Sequence, residues 1–252
     1  MKTRLQTILA HAGIASRRGV VSLIQTGKVT VNGKIVVEKG FRVDPNECDI
    51  QVKGQALTNQ EKKYYFLFNK PKGVISTAID THNRRKITDF FKDIPARLYP
   101  VGRLDKDTTG AIIVTNDGAL THKFSHPSFE IEKEYVAEVT PCVSKSDIKK
   151  IEKGIKLEGK YTAPCGIKFI KENKNSAVYR IILHEGRKRQ IKRMFEEVGS
   201  KVVNLKREKY AGLSLGTLKE GEYRPIYNQI FPPLKKVARG ISNANLTSFS
   251  PL

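Results

Sequence analysis

The segment "GRLDKDTTG", residues 102–110, brings together side chains that could carry out chemistry. It places Asp105, a lysine, Asp107 and two threonines between glycines. A carboxylate in such a loop can act as a nucleophile, and two carboxylates beside a threonine can bind Mg²⁺ and a phosphate. Asp, Thr and Gly are also frequent in turns that have no catalytic role. The local pattern therefore leaves three interpretations: a nucleophile, a metal-assisted phosphate site and a simple turn.

The surrounding residues argue against the metal-assisted phosphate site. The D-x-D-x-T pattern of aspartyl phosphotransferases should follow a continuous buried strand. The preceding segment "RLYPVGRL" is instead interrupted by Pro100, Gly102 and Arg103, and no later pair of aspartates supplies further ligands. His122 and His126 have the i,i+4 spacing of a metal site, but no Cys, Asp or Glu is placed to complete a ligand set. We expect no metal.

A second segment, "HEGRKRQIKRMFEEVG" at residues 184–199, packs five basic residues into ten positions. Its spacing predicts a helix from about residue 188 with one buried apolar face. Basic residues crowd the opposite side, and like charges at i,i+4 destabilise a helix, so a function is favoured over a solvated surface. Binding phosphates and pairing with an acidic catalytic group are the candidate roles. The basic residues of this helix are Lys188, Arg189, Lys192 and Arg193, and the apolar residues are Ile191, Met194, Phe195 and Val198.

The composition indicates a polyanionic partner. The 252 residues include 46 Lys and Arg against 25 Asp and Glu, a formal net charge of +21. The start "MKTRLQTILA" lacks the apolar core of a signal peptide, and no apolar run approaches the length of a membrane-spanning helix. Three widely spaced cysteines favour neither a disulfide framework nor a zinc ribbon. We expect a cytoplasmic protein that binds a nucleic acid and no membrane.

The N-terminal segment predicts a small α+β unit with a basic surface. "RLQTILAHAG" has helical apolar spacing, and Ser16 is a candidate N-cap for a second helix. Asn32-Gly33 between two β-branched runs is the strongest short hairpin signal. The basic residues of this segment either form an ordinary solvated surface or contact phosphates, with the positive end of the second helix adding to the attraction. They are Lys2, Arg4, Arg17, Arg18, Lys28 and Lys34.

The rest of the chain predicts a second α+β domain. Residues 53–63 are polar and indicate a linker, and apolar runs predict strands at residues 64–76, 111–115, 134–139 and 177–184. Helices are expected at residues 87–92, 144–153 and 189–198. The predicted domains are residues 1–60 and 61–231, followed by a basic, disordered tail at residues 232–252.

Five motifs resemble known families. "RLQTILAHAGIASRRGVVSLIQTGKVTVNGK" resembles the S4 RNA-binding domain, including its G-x-A-S-R-R and V-N-G elements. "VGRLDKDTTG" followed by "AIIVTNDG" is similar to the defining motif of the RsuA/RluB-type ribosomal RNA pseudouridine synthases. "NKPKGVIS", "EKEYVAEV" and "EGRKRQIKRMFEEVG" resemble that family's other elements in the same order. One departure is Asn83, where relatives often carry glycine. The resemblance implies an S4-like domain followed by a catalytic domain with a mainly antiparallel mixed sheet.

The resemblance also implies roles for individual residues. Asp105 would attack C1′ of the target uridine or act through a glycal route, and the residues alone do not separate the two. Lys192 would be the cation that stabilises the Asp105 carboxylate, Tyr135 would pack on the base, and Arg103 would fill the stack that a flipped uridine leaves. Isomerisation has no net redox change, so no cofactor is expected. The expected RNA-contact residues are Arg17, Arg18, Lys28, Lys70, Arg103, Arg187, Arg189 and Arg193.

The implied substrate is ribosomal RNA or a pre-ribosomal particle, bound by a monomer. "LKREKYAGLSL" favours large-subunit (23S) relatives, whereas "GEYRPI" is also found in the small-subunit (16S) branch. The alternative from a different class is a non-catalytic S4-type RNA-binding or ribosome-assembly protein. The joint presence of Asp105, Tyr135 and Lys192 argues against that alternative, because a binding protein does not need them together.

Overall fold

The computed structural model describes residues 2–57 and 62–226, which form two compact units. The first unit comprises Met1–Tyr64, Ile94–Arg97 and Asn116–Gly118, and the second contains the remaining residues. The expected tail at residues 232–252 lies outside the described residues, as do residues 58–61 of the expected linker. The domain limits at residues 60 and 231 stay predictions.

The first unit packs two helices on short strands, as the sequence predicted. Ser16 caps the second helix, because its Oγ accepts the N–H of Gly19 at 3.0 Å. Asn32 and Gly33 have φ values of 50° and 75°, the backbone that a two-residue type I′ hairpin turn requires. The elements are β1 (Thr3–Arg4), α1 (Leu5–His11), α2 (Arg17–Gln25), β2 (Val29–Val31), β3 (Lys34–Ile35), β4 (Arg42–Val43), β5 (Ile50–Val52) and β6 (Gln55–Ala56).

The core of the first unit follows from the apolar spacing of these elements. Leu5 and Leu9 of α1 and Val20 and Ile24 of α2 are buried against Val29 of β2. Strand order in its larger sheet is β3-β2-β5-β6, and all of these pairs are antiparallel. The buried stripe of α2 leaves Arg17 and Arg18 exposed in its first turn.

The second unit is built on a nine-stranded sheet. The main strand order is β13-β14-β10-β15-β9-β7-β17, with β16 paired to β15 and β8 paired to β9. The strands of this sheet are β7 (Tyr65–Lys70), β8 (Tyr99–Val101), β9 (Thr109–Thr115), β10 (Lys133–Thr140), β13 (Gly166–Glu172), β14 (Ala177–Leu183), β15 (Lys201–Tyr210), β16 (Leu213–Ser214) and β17 (Tyr223–Pro225). A separate two-stranded sheet consists of β11 (Lys156–Leu157) and β12 (Lys160–Tyr161). The helices are α3 (Gly118–Ser125), α4 (Lys145–Lys153) and α5 (Gln190–Glu196), with 3₁₀ turns at Ile87–Phe90 and Pro127–Phe129.

The sheet is mainly antiparallel and mixed, which confirms the expected fold class. Within the described residues, β9 and β15 form the parallel pair at the centre of this sheet, with Lys206 opposite Thr109 and Arg207 opposite Gly110. The strands predicted from apolar runs are β7, β9, β10 and β14, and the helix predicted at residues 144–153 is α4, with Ser144 as its N-cap. α3, β13 and β15 were not predicted from the sequence. No helix in the described ranges is long and apolar enough to cross a membrane.

Candidate active site

Asp105 lies in the loop that joins β8 to β9, and a second loop fastens this segment in place. From the segment that follows β7, Gly73 donates its N–H to the carbonyl oxygen of Lys106 at 2.8 Å. Ser76 Oγ donates to the carbonyl oxygen of Leu104 at 2.8 Å. The "NKPKGVIS" and "GRLDKDTTG" motifs, which are distant in sequence, therefore form one hydrogen-bonded double loop around Asp105.

Gly110, the last residue of the Asp105 motif, is required by the close approach of two strands. It has a φ of +109°, and a Cβ added there would lie 2.2 Å from the carbonyl oxygen of Arg207. Real Cβ atoms do not approach an oxygen so closely, so only glycine lets β9 lie beside β15 at this point. The parallel pair thus fixes where the Asp105 loop leaves the sheet.

A cleft of about 710 Å³ opens beside the Asp105 loop, entirely within the second unit. The structure brings together five of the expected catalytic and RNA-contact residues. These lining residues are Arg103, Asp105, Tyr135, Arg187 and Arg189. Lys133 and Arg207 also line the cleft, and neither was assigned a role from the sequence.

Tyr135 is held in the cleft wall by the central strands. It lies on β10, opposite Arg207 of β15, and its side chain is 9% exposed. The register between β10 and β15 shifts next to Tyr135, between Glu134 and Tyr135. Such irregularities change the direction of side chains and are frequent beside active sites. The Tyr135 hydroxyl oxygen lies 3.5 Å from Nη1 of Arg207.

Lys192 differs from its expected arrangement in two respects. The helical period placed it on the exposed side of α5, but it is 6% exposed in the structure. The expected partner was Asp105, whereas Nζ of Lys192 lies 2.5 Å from Oδ2 of Asp107. The hydrogen bond from Lys192 is the main cause that lowers the pKa of Asp107 below its usual range. The structure thus corrects the partner: the Lys192 ammonium joins α5 to the Asp105 loop through Asp107.

Lys70 is fully buried, which corrects the expectation that it contacts RNA. Its Nζ donates to the carbonyl oxygens of Pro71 at 3.0 Å and Val74 at 2.8 Å. Burial lowers the pKa of Lys70 to about 8, although the charges of Asp107, Glu220 and Asp105 act in the opposite direction. An ammonium that is occupied by carbonyls of its own loop holds that loop in shape and does not reach a phosphate.

The other expected RNA-contact residues fall into two groups. Arg17, Arg18 and Lys28 of the first unit are exposed, and so are Arg103 and Arg189 of the second. Arg187 is partly buried, lies 3.3 Å from the Glu185 carboxylate and donates to the carbonyl oxygens of Lys160 and Tyr161. Arg193 forms an ion pair with Glu158 at 3.0 Å. Arg187 and Arg193 therefore have protein partners, which binding to RNA would have to replace.

Lys133 and Arg207 in the cleft wall were not predicted from the sequence as residues of the site. Lys133 could have been found, because it lies two residues before Tyr135 on the same face of a strand. Its Nζ donates to the carbonyl oxygens of Ile131 and His184, and burial together with the Arg207 charge lowers the pKa of Lys133 to about 8. Arg207 lies on β15, which the sequence did not predict, so no available signal connected it with Tyr135.

The two histidines considered as metal ligands stack on each other instead. The ring centroids of His122 and His126 are 5.3 Å apart, and His126 Nδ1 lies 2.7 Å from Ser128 Oγ. Among the described residues, no group of three or more His, Cys, Asp or Glu side chains could hold a metal ion.

The fold and the cleft agree with what comparison with known proteins shows. Residues 64–197 match the model of the RNA pseudouridylate synthase family, and residues 3–47 match the S4 domain. The chain therefore belongs to the RNA pseudouridylate synthase family and carries an S4 domain at its N-terminal end.

Individual relatives support this assignment over nearly the whole chain. The chain is 45% identical over 243 residues to ribosomal large subunit pseudouridine synthase B of Bacillus subtilis (strain 168), covering 96% of this chain and 99% of that protein. It is 37% identical to an RNA pseudouridine synthase of Aquifex aeolicus, covering 90% of this chain and 91% of the relative. A crystal structure of a pseudouridylate synthase superposes with a TM-score of 0.63 at 32% identity, covering 90% of this chain and 96% of that one.

Proposed function

We propose that this chain converts a specific uridine of large-subunit (23S) ribosomal RNA to pseudouridine. The observation that carries the proposal is one cleft that holds Asp105 and Tyr135 together, in a chain that resembles the Bacillus subtilis large-subunit enzyme over 96% of its length. The substrate would be ribosomal RNA, free or in a pre-ribosomal particle, and the enzyme would act as a monomer in the cytoplasm.

The reaction breaks the bond from C1′ to N1 and forms a bond from C1′ to C5 of the same uracil. Asp105 is the proposed carboxylate that attacks C1′ or acts through the glycal route, and a carboxylate also stabilises positive charge that develops at C1′. The double loop holds Asp105 at the edge of the cleft. Lys192 would act on Asp105 indirectly, because its ammonium is bound by Asp107 of the same loop.

The target uridine must leave the RNA stack to reach such a cleft. Arg103 is exposed at the cleft and is the proposed residue that occupies the vacated position. Tyr135 would contact the flipped base from the cleft wall. Arg189 would contact the RNA backbone at the cleft, and Arg187 and Arg193 could do so after exchanging their protein partners for phosphates.

The first unit would bind a structured part of the RNA. Its exposed Arg17 and Arg18 lie in the first turn of α2, where backbone N–H groups and the helix dipole also favour phosphate. Lys28 follows α2 and is exposed as well. We place the S4 domain at about residues 1–60 and the catalytic domain at about residues 61–231.

The test is chemical mapping of pseudouridine in both ribosomal RNAs from cells with and without the gene. We expect loss of one signal, or very few, in large-subunit RNA, and recovery when the wild-type gene is returned. Loss of a signal in small-subunit RNA would move the substrate to the other ribosomal subunit. If no ribosomal position changes, the proposal of a ribosomal RNA substrate is wrong.

The same assay tests the role of Asp105. Asp105→Asn should reduce the rate of pseudouridine formation by at least roughly a thousandfold, because the carboxylate takes part in the chemical step. RNA affinity should change by less than about twofold, since phosphate contacts dominate binding. Asp147→Asn, on α4 outside the cleft, is the matched control and should retain activity. Activity of Asp105→Asn close to that of wild type would remove Asp105 from the mechanism.

A further inference from the structure

Arg207 is a buried cation at the centre of the catalytic sheet. It is 3% exposed and lies on β15, between the two strands that carry the functional motifs. On one side it is opposite Tyr135 of β10, and on the other it is opposite Gly110 of β9, which ends the Asp105 motif. A single side chain therefore links the wall that holds Tyr135 to the strand that follows Asp105.

The guanidinium of Arg207 has a specific set of neighbours. Nε donates to the carbonyl oxygen of Ala111 at 2.6 Å, and the guanidinium carbon lies 4.2 Å from the centroid of the Tyr210 ring. Nη1 donates to the Tyr135 hydroxyl oxygen at 3.5 Å. Nη2 is inaccessible to solvent and has no hydrogen-bond partner among the described residues.

This incomplete set of partners makes a purely structural role for Arg207 expensive. A buried charge destabilises a fold unless it is paired and fully hydrogen-bonded. The Tyr210 ring compensates part of that cost through a cation–π contact. The Arg207 guanidinium contacts Ala111, Tyr210 and Tyr135. Of these three residues, only Tyr135 has a role in the proposed reaction, in which it contacts the flipped base.

The chemistry of the contact fixes the direction of the Tyr135 hydroxyl group. Arginine has only N–H donors and remains charged at any pH in the working range. The Tyr135 oxygen must therefore be the acceptor in this contact, and its own proton points away from Arg207. Because Tyr135 lines the cleft, this arrangement leaves the hydroxyl proton free to face the space that a flipped base would occupy.

We infer that Arg207 is a positioning residue of the reaction, which fixes the Tyr135 phenol against the flipped uracil with its hydroxyl proton facing the base. This inference rests on the proposed function. Arg207 acts through Tyr135 and does not itself bind RNA phosphates, so its loss should slow the reaction without weakening RNA binding. Misplacing a group that contacts the reacting base costs roughly 10- to 100-fold in rate.

The test uses the full-length chain and large-subunit ribosomal RNA transcribed in vitro. Arg207→Gln removes the charge. Arg207→Lys keeps the charge but lacks the planar guanidinium fork, whose separate nitrogens contact Ala111 and Tyr135. Thermal unfolding shows which variants are folded. The matched control is Arg180→Gln on β14, which removes an arginine that pairs with Glu134 outside the cleft. Single-turnover rates and dissociation constants are measured for each chain.

We expect Arg207→Gln to lower the single-turnover rate roughly 10- to 100-fold. Its RNA affinity should stay within about twofold of wild type. The rate of Arg207→Lys should lie between that of wild type and that of Arg207→Gln. Arg180→Gln should react like wild type. If Arg207→Gln does not fold, Arg207→Lys carries the test. A folded Arg207 variant that reacts at the wild-type rate, or that loses rate only through weaker binding, would overturn the inference.

A double-variant comparison separates positioning from general support of the sheet. In a Tyr135→Phe background no hydroxyl group remains to be positioned, so the Arg207 variant should lower the residual rate by less than about twofold. An equal effect in both backgrounds would mean that Arg207 only supports the fold. A wild-type chain that forms no pseudouridine in either ribosomal RNA would overturn the proposed function and this inference together, whereas an active wild type with unaffected Arg207 variants overturns the inference alone.

Discussion

At the scale of single residues, the catalytic unit keeps two lysines in surroundings that disfavour their charge. Lys70 beneath the double loop and Lys133 in the cleft wall both have a pKa lowered to about 8, with burial as the main cause. In the unfolded chain each would titrate near its ordinary value of 10.5. Between these two pH values the unfolded chain holds more protons than the folded one, so each lysine makes stability increase with pH there.

A Lys70→Met variant should lack the pH dependence of stability that Lys70 contributes. Below about pH 8 the wild type carries the cost of a buried ammonium at residue 70, and deprotonation relieves that cost as the pH rises. The free energy of unfolding of wild type relative to Lys70→Met should therefore increase from pH 8 to 10, by at most about 1.4 kcal/mol per pH unit. Denaturant unfolding at several pH values measures this difference, in which the other titrating groups cancel.

The control for this prediction lies in the same turn. Lys72 is exposed, so Lys72→Met should show no such change relative to wild type. A constant difference between wild type and Lys70→Met across this pH range would mean that Lys70 stays charged throughout.

At the scale of elements, the central parallel pair depends on one glycine. Gly110→Ala would place a Cβ 2.2 Å from the carbonyl oxygen of Arg207. Because that oxygen belongs to the backbone of a central strand, β9 and β15 would have to separate, and we expect a loss of at least about 3 kcal/mol in stability or no folded protein. Thermal and denaturant unfolding measure the loss.

Gly159→Ala is the matched control, because Gly159 also has a positive φ, of +81°, but an added Cβ would meet nothing within 4 Å. It should cost only the roughly 1–2 kcal/mol of the strained backbone. If Gly110→Ala and Gly159→Ala lose the same stability, steric contact with β15 does not contribute to the loss caused by Gly110→Ala.

The elements that could be predicted are those with a clear apolar pattern. β9, β10 and β14 consist of β-branched and apolar runs, so their positions followed from the sequence. β15 did not, because Lys206, Arg207, Glu208 and Lys209 follow one another and an irregular register interrupts the alternation of faces. A central strand rich in charged residues is stable here only through its neighbours, which a single sequence does not display.

The residues of the site were predictable where they lie in recognisable motifs, and their partners across the fold were not. Asp105 and Tyr135 lie in motifs that could be recognised, and the structure places both in the cleft. The partner of Lys192 could not be predicted, because its side chain turns towards a carboxylate 85 residues away in sequence. Helical periodicity describes one helix alone, so it assigned to solvent a residue that tertiary contacts bury.

At the scale of the whole molecule, the net charge of +21 predicts strongly salt-dependent binding of RNA. Arg18→Gln removes an exposed charge from the first turn of α2. We expect uniformly weaker binding and a decrease of about 1 in the slope of log affinity against log salt, as one phosphate contact is lost. Filter binding at several salt concentrations measures the slope.

Lys150→Gln is the control for that measurement, because it also removes one positive charge. Lys150 is already paired with Asp147 at 2.7 Å on α4. The slope should therefore stay close to that of wild type. If both variants lower the slope equally, only total charge matters, and the S4 domain makes no specific phosphate contact through Arg18.

The parallel pairing of β9 with β15 also bears on how the protein is made. β9 needs a partner that ends at Tyr210, so the centre of the catalytic sheet cannot assemble on the ribosome until the chain has been synthesised through Tyr210. The first unit consists mostly of residues that precede β7 in the sequence, so its residues are synthesised earlier than those of β15. A nascent chain would thus acquire its S4 domain well before a working cleft, and a message truncated ahead of β15 would yield a product able to hold RNA but unable to modify it.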